Sequence, residues 1–506
     1  MGFEFSNILI STILGFLLFM VIKFIWRSKT KKTTYKLPPG PRKLPLIGNI
    51  HQLGTLPHQA LAKLAQEYGS LMHMQLGELS CIVVSSQEMA KEIMKTHDLN
   101  FANRPPLLSA EIVTYGYKGM TFSPHGSYWR QMRKICTMEL LSQNRVESFR
   151  LQREEELANF VKDINSSEGS PINLSEKLDS LAYGLTSRTA FGANVEDEDK
   201  EKYRKIIKDV LKVAGGFSLA DLYPSIRILQ VLTGLRQRIE KLHGETDKIL
   251  ENIVRSHRKK NLETKAKEEK WEDLVDVLLK LQTNSDLEHP ISNNVLKATI
   301  SDIFGAGSDT TFTTLEWAMS ELIKNPQVMK KAQAEVRSVY NEKGYVDEAS
   351  LHKLKYLKSV ITETLRLHAP IPLLLPRQCS EKCEINGYEI PAKSKVIVNA
   401  WSICRDSRYW IEAEKFFPER FIDSSVDYKG VDFQFIPFGA GRRMCPGMTS
   451  GIASLEISLA NLLFHFDWRM PNGNNADDLD MDESFGLAVR RKHDLRLVPT
   501  AYHSSG

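Results

Sequence analysis

Cysteine is scarce in this sequence, with six cysteines scattered over 506 residues. Small scaffolds held by disulfides carry cysteine at much higher density, so this number excludes such a scaffold and favours reduced thiols. Cys379 and Cys383 stand close together, but no second cysteine or histidine pair near them has the spacing of a zinc site. We therefore expect neither a disulfide framework nor a structural zinc centre.

An excess of one sign of charge is also missing, because the formal net charge is only +5. So small an excess gives no reason to expect nucleic acid as a partner. With 42% hydrophobic and 25% charged residues, the chain has the composition of an ordinary globular protein with material for a large core. No internal repeat is visible.

Charge is absent altogether from Phe5 to Ile22, where Ile, Leu, Phe and Met dominate. At ~1.5 Å per helical residue, this run nearly matches a hydrocarbon core of ~30 Å. A basic, acid-free stretch follows at residues 27–36, which by the positive-inside rule places the rest of the chain in the cytosol. A cleaved signal peptide is disfavoured, because the positive charge follows the apolar run and no small-residue cleavage site is present. The sequence predicts a transmembrane anchor at residues 1–26 and a basic, proline-rich hinge at residues 27–41.

Beyond the hinge, the sequence pattern predicts a mainly α protein with a small β part. Two short apolar runs at residues 71–76 and 81–84 are typical of an antiparallel hairpin. A second strand-like region spans residues 373–398 and is broken by turns at 386–387 and 391–392. Helical periodicity is clearest over residues 198–212 and 294–323. The densely charged residues 256–273 indicate a solvated helix or loop.

The most informative segment is residues 438–447, which read Phe-Gly-Ala-Gly-Arg-Arg-Met-Cys-Pro-Gly. Gly439 and Gly441 permit tight turns with positive φ, and Pro446 favours a helix that begins at about Met448. Cys445 is thus expected just before a helix N-terminus, where the dipole and free amides lower the pKa of a thiol. Amides directed at the sulfur would also stabilise a metal-bound thiolate.

This segment resembles the haem-binding loop of the cytochrome P-450 family in the positions of Phe438, Gly441, Arg443, Cys445 and Gly447. In that family the cysteine thiolate is the axial ligand of haem iron and favours O–O cleavage. The resemblance implies the P-450 fold and haem b, iron protoporphyrin IX, ligated by Cys445. It further implies that Arg443 contacts a haem propionate and that Gly447 leaves room for the porphyrin.

A second motif of the same family is Glu363-x-x-Arg366, which places an acid and a guanidinium on one helix face. Residues 417–421, Phe-Pro-Glu-Arg-Phe, resemble the segment whose arginine, here Arg420, joins that pair. The resemblance implies a buried Arg–Glu–Arg cluster that supports the haem loop. The alternative is a surface pair worth a few tenths of a kcal/mol.

A third motif, Ala-Gly-Ser-Asp-Thr-Thr at residues 306–311, lies inside the long predicted helix. Gly305 and Gly307 weaken a helix interior by about 1 kcal/mol each relative to alanine, and close approach to a flat ligand would explain them. By resemblance, Asp309 and Thr310 deliver protons during O₂ activation, as general acid catalysis requires. The alternative is a glycine-softened helix with a solvent-facing aspartate.

Trp129-x-x-x-Arg133 and Arg377 match family positions that hold the haem propionates, for which the planar arginine fork is suited. Three further basic residues would face an acidic redox partner, or form a merely solvated basic face: Arg130, Lys134 and Arg442.

The resemblance covers nearly the whole chain and implies a haem-thiolate monooxygenase domain at residues 42–506. Within the family, the sequence resembles plant microsomal members, in particular those that oxidise terpenoids and other specialised metabolites. It implies electrons from NADPH through NADPH-cytochrome P-450 reductase, with cytochrome b5 as a second candidate partner. It also implies a single-pass protein of the endoplasmic reticulum membrane with its catalytic domain on the cytosolic face.

The same resemblance places a largely apolar substrate pocket over the haem, suited to an olefinic or lightly oxidised sesquiterpene or diterpene. Alternative functions are oxidation of a flavonoid or other aromatic metabolite, a haem-thiolate lyase or isomerase acting without O₂, and a non-catalytic membrane scaffold. The expected pocket residues are Leu107, Val113, Phe217, Ile303, Phe304, Ala306, Ile371, Leu373, Leu374, Phe485 and Leu487.

Overall fold

The structure is a computed structural model that describes Gly15 and residues 36–192, 197–263 and 272–503. The predicted anchor at residues 1–26, Gly15 apart, lies outside the described residues, and so does most of the hinge. None of the helices in the described ranges is both long and apolar enough to cross a membrane.

Helices form most of the described chain. Those of its first half are α1 (Pro57–Tyr68), α2 (Gln87–Lys91), α3 (Leu108–Val113), α4 (Ser127–Ile135), α5 (Gln143–Ser148), α6 (Arg150–Asn165), α7 (Leu174–Phe191), α8 (Asp197–Val213), α9 (Leu219–Leu222) and α10 (Ile228–Leu232). Those that follow are α11 (Leu235–Glu263), α12 (Leu274–Gln282), α13 (Asn293–Lys324), α14 (Pro326–Tyr340), α15 (Lys355–Leu367), α16 (Ala400–Ile403) and α17 (Met448–His465).

Within the described residues the strands form four small sheets, and the predicted mainly α architecture is confirmed. The largest sheet has the order β1 (Leu71–Leu76), β2 (Leu79–Val84), β7 (Lys395–Val398) and β4 (Arg377–Gln378), with only β2 and β7 parallel. The others pair β3 (Ile172–Asn173) and β8 (Phe466–Arg469) with β11 (Arg496–Ala501), β5 (Cys383–Ile385) with β6 (Tyr388–Ile390), and β9 (Glu483–Ser484) with β10 (Arg490–Arg491).

The predicted hairpin is confirmed, with Leu71 opposite Val84 across β1 and β2. The second strand-like region also contains strands, but they begin at Arg377 instead of residue 373. The reason is a turn in which the Leu374 amide donates to the Ile371 carbonyl and Leu374 takes a φ of +49°. Residues 371–376 are thereby free of the sheet and available to line a cavity.

Helix α13 is the central element of the fold, and its predicted range of 294–323 is confirmed to within one residue at each end. The Ser292 hydroxyl caps it by accepting from the Val295 amide at 3.4 Å. Pro326, which suits a first helical turn, starts α14 directly afterwards. The C-terminal half of α13 is buried on all sides among α7, α14, α15 and α17.

The charged stretch at residues 256–273 is not wholly solvated, so that prediction is wrong at its two ends. His257 is buried, and its ring nitrogens bond to the Ile253 carbonyl at 2.8 Å and to Asp273 at 2.9 Å. Burial lowers the pKa of His257, but the Asp273 carboxylate outweighs it, so the net pKa is raised. The ion pair thereby joins α11 to α12.

The described end of the hinge is extended, as predicted, and it is attached to the sheets. The Pro39 carbonyl accepts from the His73 amide of β1 at 2.8 Å, and the Lys36 carbonyl accepts from the Glu389 amide of β6 at 2.8 Å. Gly40 packs so closely on the His73 backbone that a Cβ there would collide.

Candidate functional site

The cysteine loop has the predicted shape. Gly439 and Gly441 have φ of +70° and +68°, and a Cβ on Gly441 would collide with the Met94 carbonyl and the Asp98 carboxylate. The Cys445 amide donates to the Phe438 carbonyl at 2.9 Å, which closes the loop. Helix α17 then begins at Met448. Glycine is therefore required where the loop packs on Asp98, and the loop presents Cys445 at the helix start.

The Cys445 side chain reaches accessible space, although protein atoms closely surround its thiol. The prediction of a lowered pKa is wrong in its net direction. Burial raises the pKa of the Cys445 thiol, and the Gly447 amide and the Arg133 guanidinium offset this only in part. A thiolate here therefore needs a stronger positive partner than the protein provides, such as a metal ion. No neighbouring atom would meet a Cβ on Gly447, so there is open space at that position.

Arginine side chains from separate segments meet beside the loop. Arg443 donates to the carbonyls of Ala102 at 2.7 Å and Ser123 at 2.6 Å, and its guanidinium lies 4.3 Å from the Trp129 ring. Arg377 donates to Asp98 at 2.8 Å and to the carbonyl of Ala440, inside the cysteine loop, at 2.6 Å. The structure thus gives Arg377 a loop-holding contact in addition to its predicted role.

Arg104 also belongs to this cluster, and the sequence reasoning missed it. It donates to the Leu375 and Pro376 carbonyls at 2.8 Å each and to the Thr121 carbonyl at 3.1 Å. The only signal in the sequence was an arginine in an apolar, proline-containing stretch, which does not reveal burial.

These arginines leave positive charge in excess. Burial and the neighbouring guanidiniums of Arg377 and Arg133 lower the pKa of Arg443 to about 9. Asp98 pairs with Arg377, whereas Arg133 has no carboxylate within ion-pair distance among residues 36–192, 197–263 and 272–503. Two propionates would supply the missing negative charge, and the Cys445 sulfur would supply the axial ligand. The residues present therefore fit a haem, and they define a haem-thiolate protein.

On α13, Asp309 and Thr310 lie where the motif placed them. The Thr310 hydroxyl donates to the Ala306 carbonyl at 2.7 Å, which leaves its oxygen able to accept. Asp309 is 7% exposed and forms an ion pair with Arg490 of β10, so the alternative of a solvent-facing aspartate is excluded. Arg490, which also lies 4.9 Å from the Phe312 ring, is a second residue that sequence reasoning missed.

The explanation offered for the two glycines of α13 is wrong. A Cβ on Gly305 would lie 3.6 Å from Ile207 of α8, and one on Gly307 would lie 3.5 Å from Thr186 of α7. Both glycines therefore face neighbouring helices in ordinary packing distance, not a flat ligand. Ala306 is the residue of this turn that is exposed to accessible space.

The Arg–Glu–Arg cluster is formed as expected and is buried. Arg366 binds Glu363 through two bonds of 2.7 and 2.8 Å, and Arg420 donates to the same carboxylate at 3.0 Å. The Phe417 amide adds a bond at 2.8 Å. Glu363 and Arg366 are fully buried, so the alternative of a weak surface pair is excluded.

Most of the expected pocket residues line one narrow cavity, but Val113, Ile303, Phe304 and Ala306 do not. Phe304 is fully buried against Tyr183, Phe191 and Tyr203 and belongs to the core. Val113 and Ile303 pack against the same core cluster, and Ala306 lies apart from the cavity. The expected residues that line the cavity are Leu107, Phe217, Ile371, Leu373, Leu374, Phe485 and Leu487. Lining residues that were missed include Phe122, Ala214, Gly215 and Lys395.

Comparison with known proteins agrees with this site. A family model described as cytochrome P-450 matches residues 38–495. Desmethyl-deoxy-podophyllotoxin synthase of Sinopodophyllum hexandrum is 52% identical, covering 97% of this chain and 96% of that protein. Tabersonine 16-hydroxylase 1 of Catharanthus roseus is 51% identical (97% and 98% covered), and salviol synthase of Salvia pomifera is 48% identical (97% of each). A zebra fish cytochrome P-450 solved with abiraterone has a TM-score of 0.75 at 22% identity, covering 89% of this chain and 100% of that one, which shows the fold alone.

The chain belongs to the cytochrome P-450 family. It is a haem-thiolate monooxygenase that receives electrons from a reductase. When bound, the haem supplies the O₂ chemistry, and the protein supplies the sulfur ligand, the propionate partners and substrate orientation.

Proposed function

We propose that this monooxygenase hydroxylates an apolar plant specialised metabolite, and specifically a terpenoid with a sesquiterpene or diterpene skeleton. The observation that carries the proposal is the cavity, whose walls are almost entirely aliphatic and aromatic side chains such as Leu107, Ile371 and Phe485. Walls of this kind stabilise a ligand by apolar burial, at roughly 25 cal/mol per Å². Relatives named as a desmethyl-deoxy-podophyllotoxin synthase, a tabersonine 16-hydroxylase and a salviol synthase support specialised metabolism in general.

An aromatic metabolite is the second candidate, because three phenyl rings border the cavity, those of Phe122, Phe217 and Phe485. Phe217 and Phe485 meet edge to face with centroids 5.9 Å apart. Such rings pack well against planar aromatic substrates such as flavonoids.

For the chemical step, we propose that Thr310 and Asp309 pass protons toward the haem side of α13. Asp309 is held by Arg490 in a buried ion pair, which fixes the carboxylate on the same turn of α13 as Thr310. A positioned acid of this kind contributes rate by proton transfer. An enzyme that rearranges hydroperoxides without O₂ would not need the pair.

Both proposals are tested by reconstituting the full chain with a plant reductase and NADPH. We expect hydroxylated products from a panel of sesquiterpenes and diterpenes, detected by mass spectrometry. Asp309→Asn should lower turnover by about 100-fold or more at unchanged haem content, since proton transfer is impaired. Ser308→Ala is the matched control on the same turn. It removes a hydroxyl that bonds within the helix, to the Phe304 carbonyl at 2.8 Å, and that has no proposed part in proton transfer. Turnover of flavonoids but of no terpenoid would contradict the proposed substrate class. Turnover of a hydroperoxide without NADPH would contradict the proposed proton transfer during O₂ activation.

We further propose that the chain is anchored once in the endoplasmic reticulum membrane, with its catalytic domain on the cytosolic face. In support, residues 1–26 are apolar and are followed by a basic run. Exposed apolar side chains also occur on two segments that a hydrogen bond joins, from the Tyr223 hydroxyl to the Leu46 carbonyl at 3.3 Å, and we infer that they form one apolar patch. Its residues are Leu44, Ile47, Leu219, Ile228, Val231 and Leu232. Patches of this kind mark membrane contact.

Membrane extraction and vesicle binding test this placement. The full chain should remain in microsomes after an alkaline carbonate wash, because a spanning helix is not released by loss of charge interactions. A chain lacking residues 1–35 should bind phosphatidylcholine vesicles weakly, and Val231→Lys with Leu232→Lys should abolish this binding. Ile411→Lys is the control, since Ile411 is 83% exposed but far from the patch in sequence. Release of the full chain by carbonate would refute the anchor.

A further inference from the structure

A buried lysine lines the otherwise apolar cavity. Lys395 is the first residue of β7 and is only 3% exposed. Alternate residues of a strand share a face, so Lys395 and Ile397 point to the same side, and both line the cavity with Phe217. An aliphatic side chain would complete this wall, so the charge needs an explanation of its own.

The Lys395 ammonium has few partners in the protein. Its Nζ donates to the Gly216 carbonyl at 3.0 Å and lies 4.9 Å from the centre of the Phe217 ring. The Asp221 carboxylate is committed elsewhere, because its oxygens accept from the Leu108 amide at 3.1 Å and the Ser218 hydroxyl at 2.6 Å. Across the ranges that the structure describes, no carboxylate lies within ion-pair distance of Nζ.

An ammonium has three N–H donors, and the Gly216 carbonyl takes one of them. Burying such a group without full pairing destabilises its charged form. Consistent with this, burial lowers the pKa of Lys395, and the nearby Cys81 and Asp221 offset this only in part. Either the ammonium or the neutral amine still has N–H groups to donate. The cavity therefore contains a hydrogen-bond donor that the protein leaves incompletely used.

We propose that Lys395 is a specificity-determining residue that donates a hydrogen bond to an oxygen atom of the substrate. The substrate is then an oxygenated terpenoid, with a ketone, ester or hydroxyl oxygen, and not a bare hydrocarbon. This inference rests on the proposed function for the terpenoid skeleton. A site that hydrogen-bonds a substrate group discriminates strongly against the analogue that lacks it, because the buried donor is then left unpaired.

The position of Lys395 suits this role. Leu374, which also lines the cavity, packs 3.9 Å from the place where a Cβ on Gly439 of the cysteine loop would lie. Leu374 is thus the part of the cavity wall that lies against the cysteine loop, whereas Lys395 is the part that lies on the sheet. A substrate bound by its oxygen at Lys395 would extend its apolar skeleton toward the loop, which orients the carbon to be hydroxylated.

The test compares two probes that share one sesquiterpene skeleton, the hydrocarbon valencene and the ketone nootkatone. Dissociation constants are measured by equilibrium dialysis against the haem-loaded full chain, so turnover is not needed. We expect the wild type to bind the ketone about tenfold more tightly, which corresponds to about 1.4 kcal/mol. Lys395→Met, which keeps an unbranched side chain of nearly the same length without the nitrogen, should remove this preference by weakening ketone binding alone. Lys393→Met is the matched control, because Lys393 is exposed two residues earlier.

The outcomes separate the lysine's role from the substrate class. Equal weakening of both probes in Lys395→Met, together with a lower melting temperature, would show a structural tether to Gly216 and overturn the proposal. Absence of a ketone preference in the wild type would overturn it as well, even if the enzyme oxidises terpenoids. A Lys395-dependent preference without oxidation of any terpenoid would support the lysine's role and refute only the proposed terpenoid substrate.

Discussion

Replacing Cys445 by serine should abolish both the thiolate-type spectrum of the bound haem and the monooxygenase activity. The thiol sits at the start of α17 in a loop closed by its own amide, so the backbone should keep its shape in the variant. A serine hydroxyl cannot donate electron density to iron as a thiolate does, and O–O cleavage loses that assistance. The measurement is the absorbance of the reduced carbon monoxide complex, followed by turnover with reductase and NADPH.

A cysteine elsewhere provides the control for this experiment. Cys383→Ser alters a partly buried thiol on β5 and should leave spectrum and turnover unchanged. An unchanged spectrum and activity in Cys445→Ser would instead mean that another atom ligates the iron, and the assignment of the site would fail. A non-catalytic scaffold would lack the spectrum in the wild type already.

Removing the Glu363 carboxylate should prevent stable haem incorporation. Glu363→Ala leaves Arg366 fully buried without its two charge-assisted bonds and frees Arg420 and the Phe417 amide. Breaking a buried ion pair from one side costs about 3–5 kcal/mol, because the remaining charge is uncompensated. We expect a loss of this order in the free energy of unfolding, measured by chemical denaturation, and a strong loss of haem per chain.

The matched control is Glu412→Ala in the same segment, where the carboxylate is 58% exposed and pairs with Lys415. An exposed pair is worth at most about 1 kcal/mol, so this variant should retain its haem. Normal haem content in Glu363→Ala would refute the view that the cluster supports the haem loop.

The arginine cluster explains why the haem and the fold depend on each other. Arg104, Arg377 and Arg443 bond to carbonyls of segments that are distant in sequence, so they fix the loops around the site. Burial, together with repulsion from the guanidiniums of Arg377 and Arg133, lowers the pKa of Arg443 to about 9, and bound propionates would offset this loss. Haem binding should therefore stabilise the surrounding loops by linkage.

Local sequence patterns were sufficient to predict the features that depend on single residues or on residues close together in the sequence. The glycines at 439 and 441 with Pro446 predicted the turn and the helix start, because positive φ and the proline ring are properties of single residues. Periodicity predicted α13 and the hairpin for the same reason. The Glu363–Arg366 pair also followed from helix spacing, although its burial came from the resemblance and not from the spacing.

The tertiary structure decided which side chains meet across the chain and which face each helix presents. It brought Arg490 to Asp309 and placed Arg104 near Arg443 of the cysteine loop, although the partners are far apart in the sequence and no local pattern encodes their proximity. It placed Phe304 in the core and turned Gly305 toward α8, because packing of whole helices sets their rotation. By itself the sequence determined the chemistry, the axial thiol and its loop. Only the folded chain decided the shape of the cavity and the presence in it of Lys395, because burial depends on every neighbouring element at once.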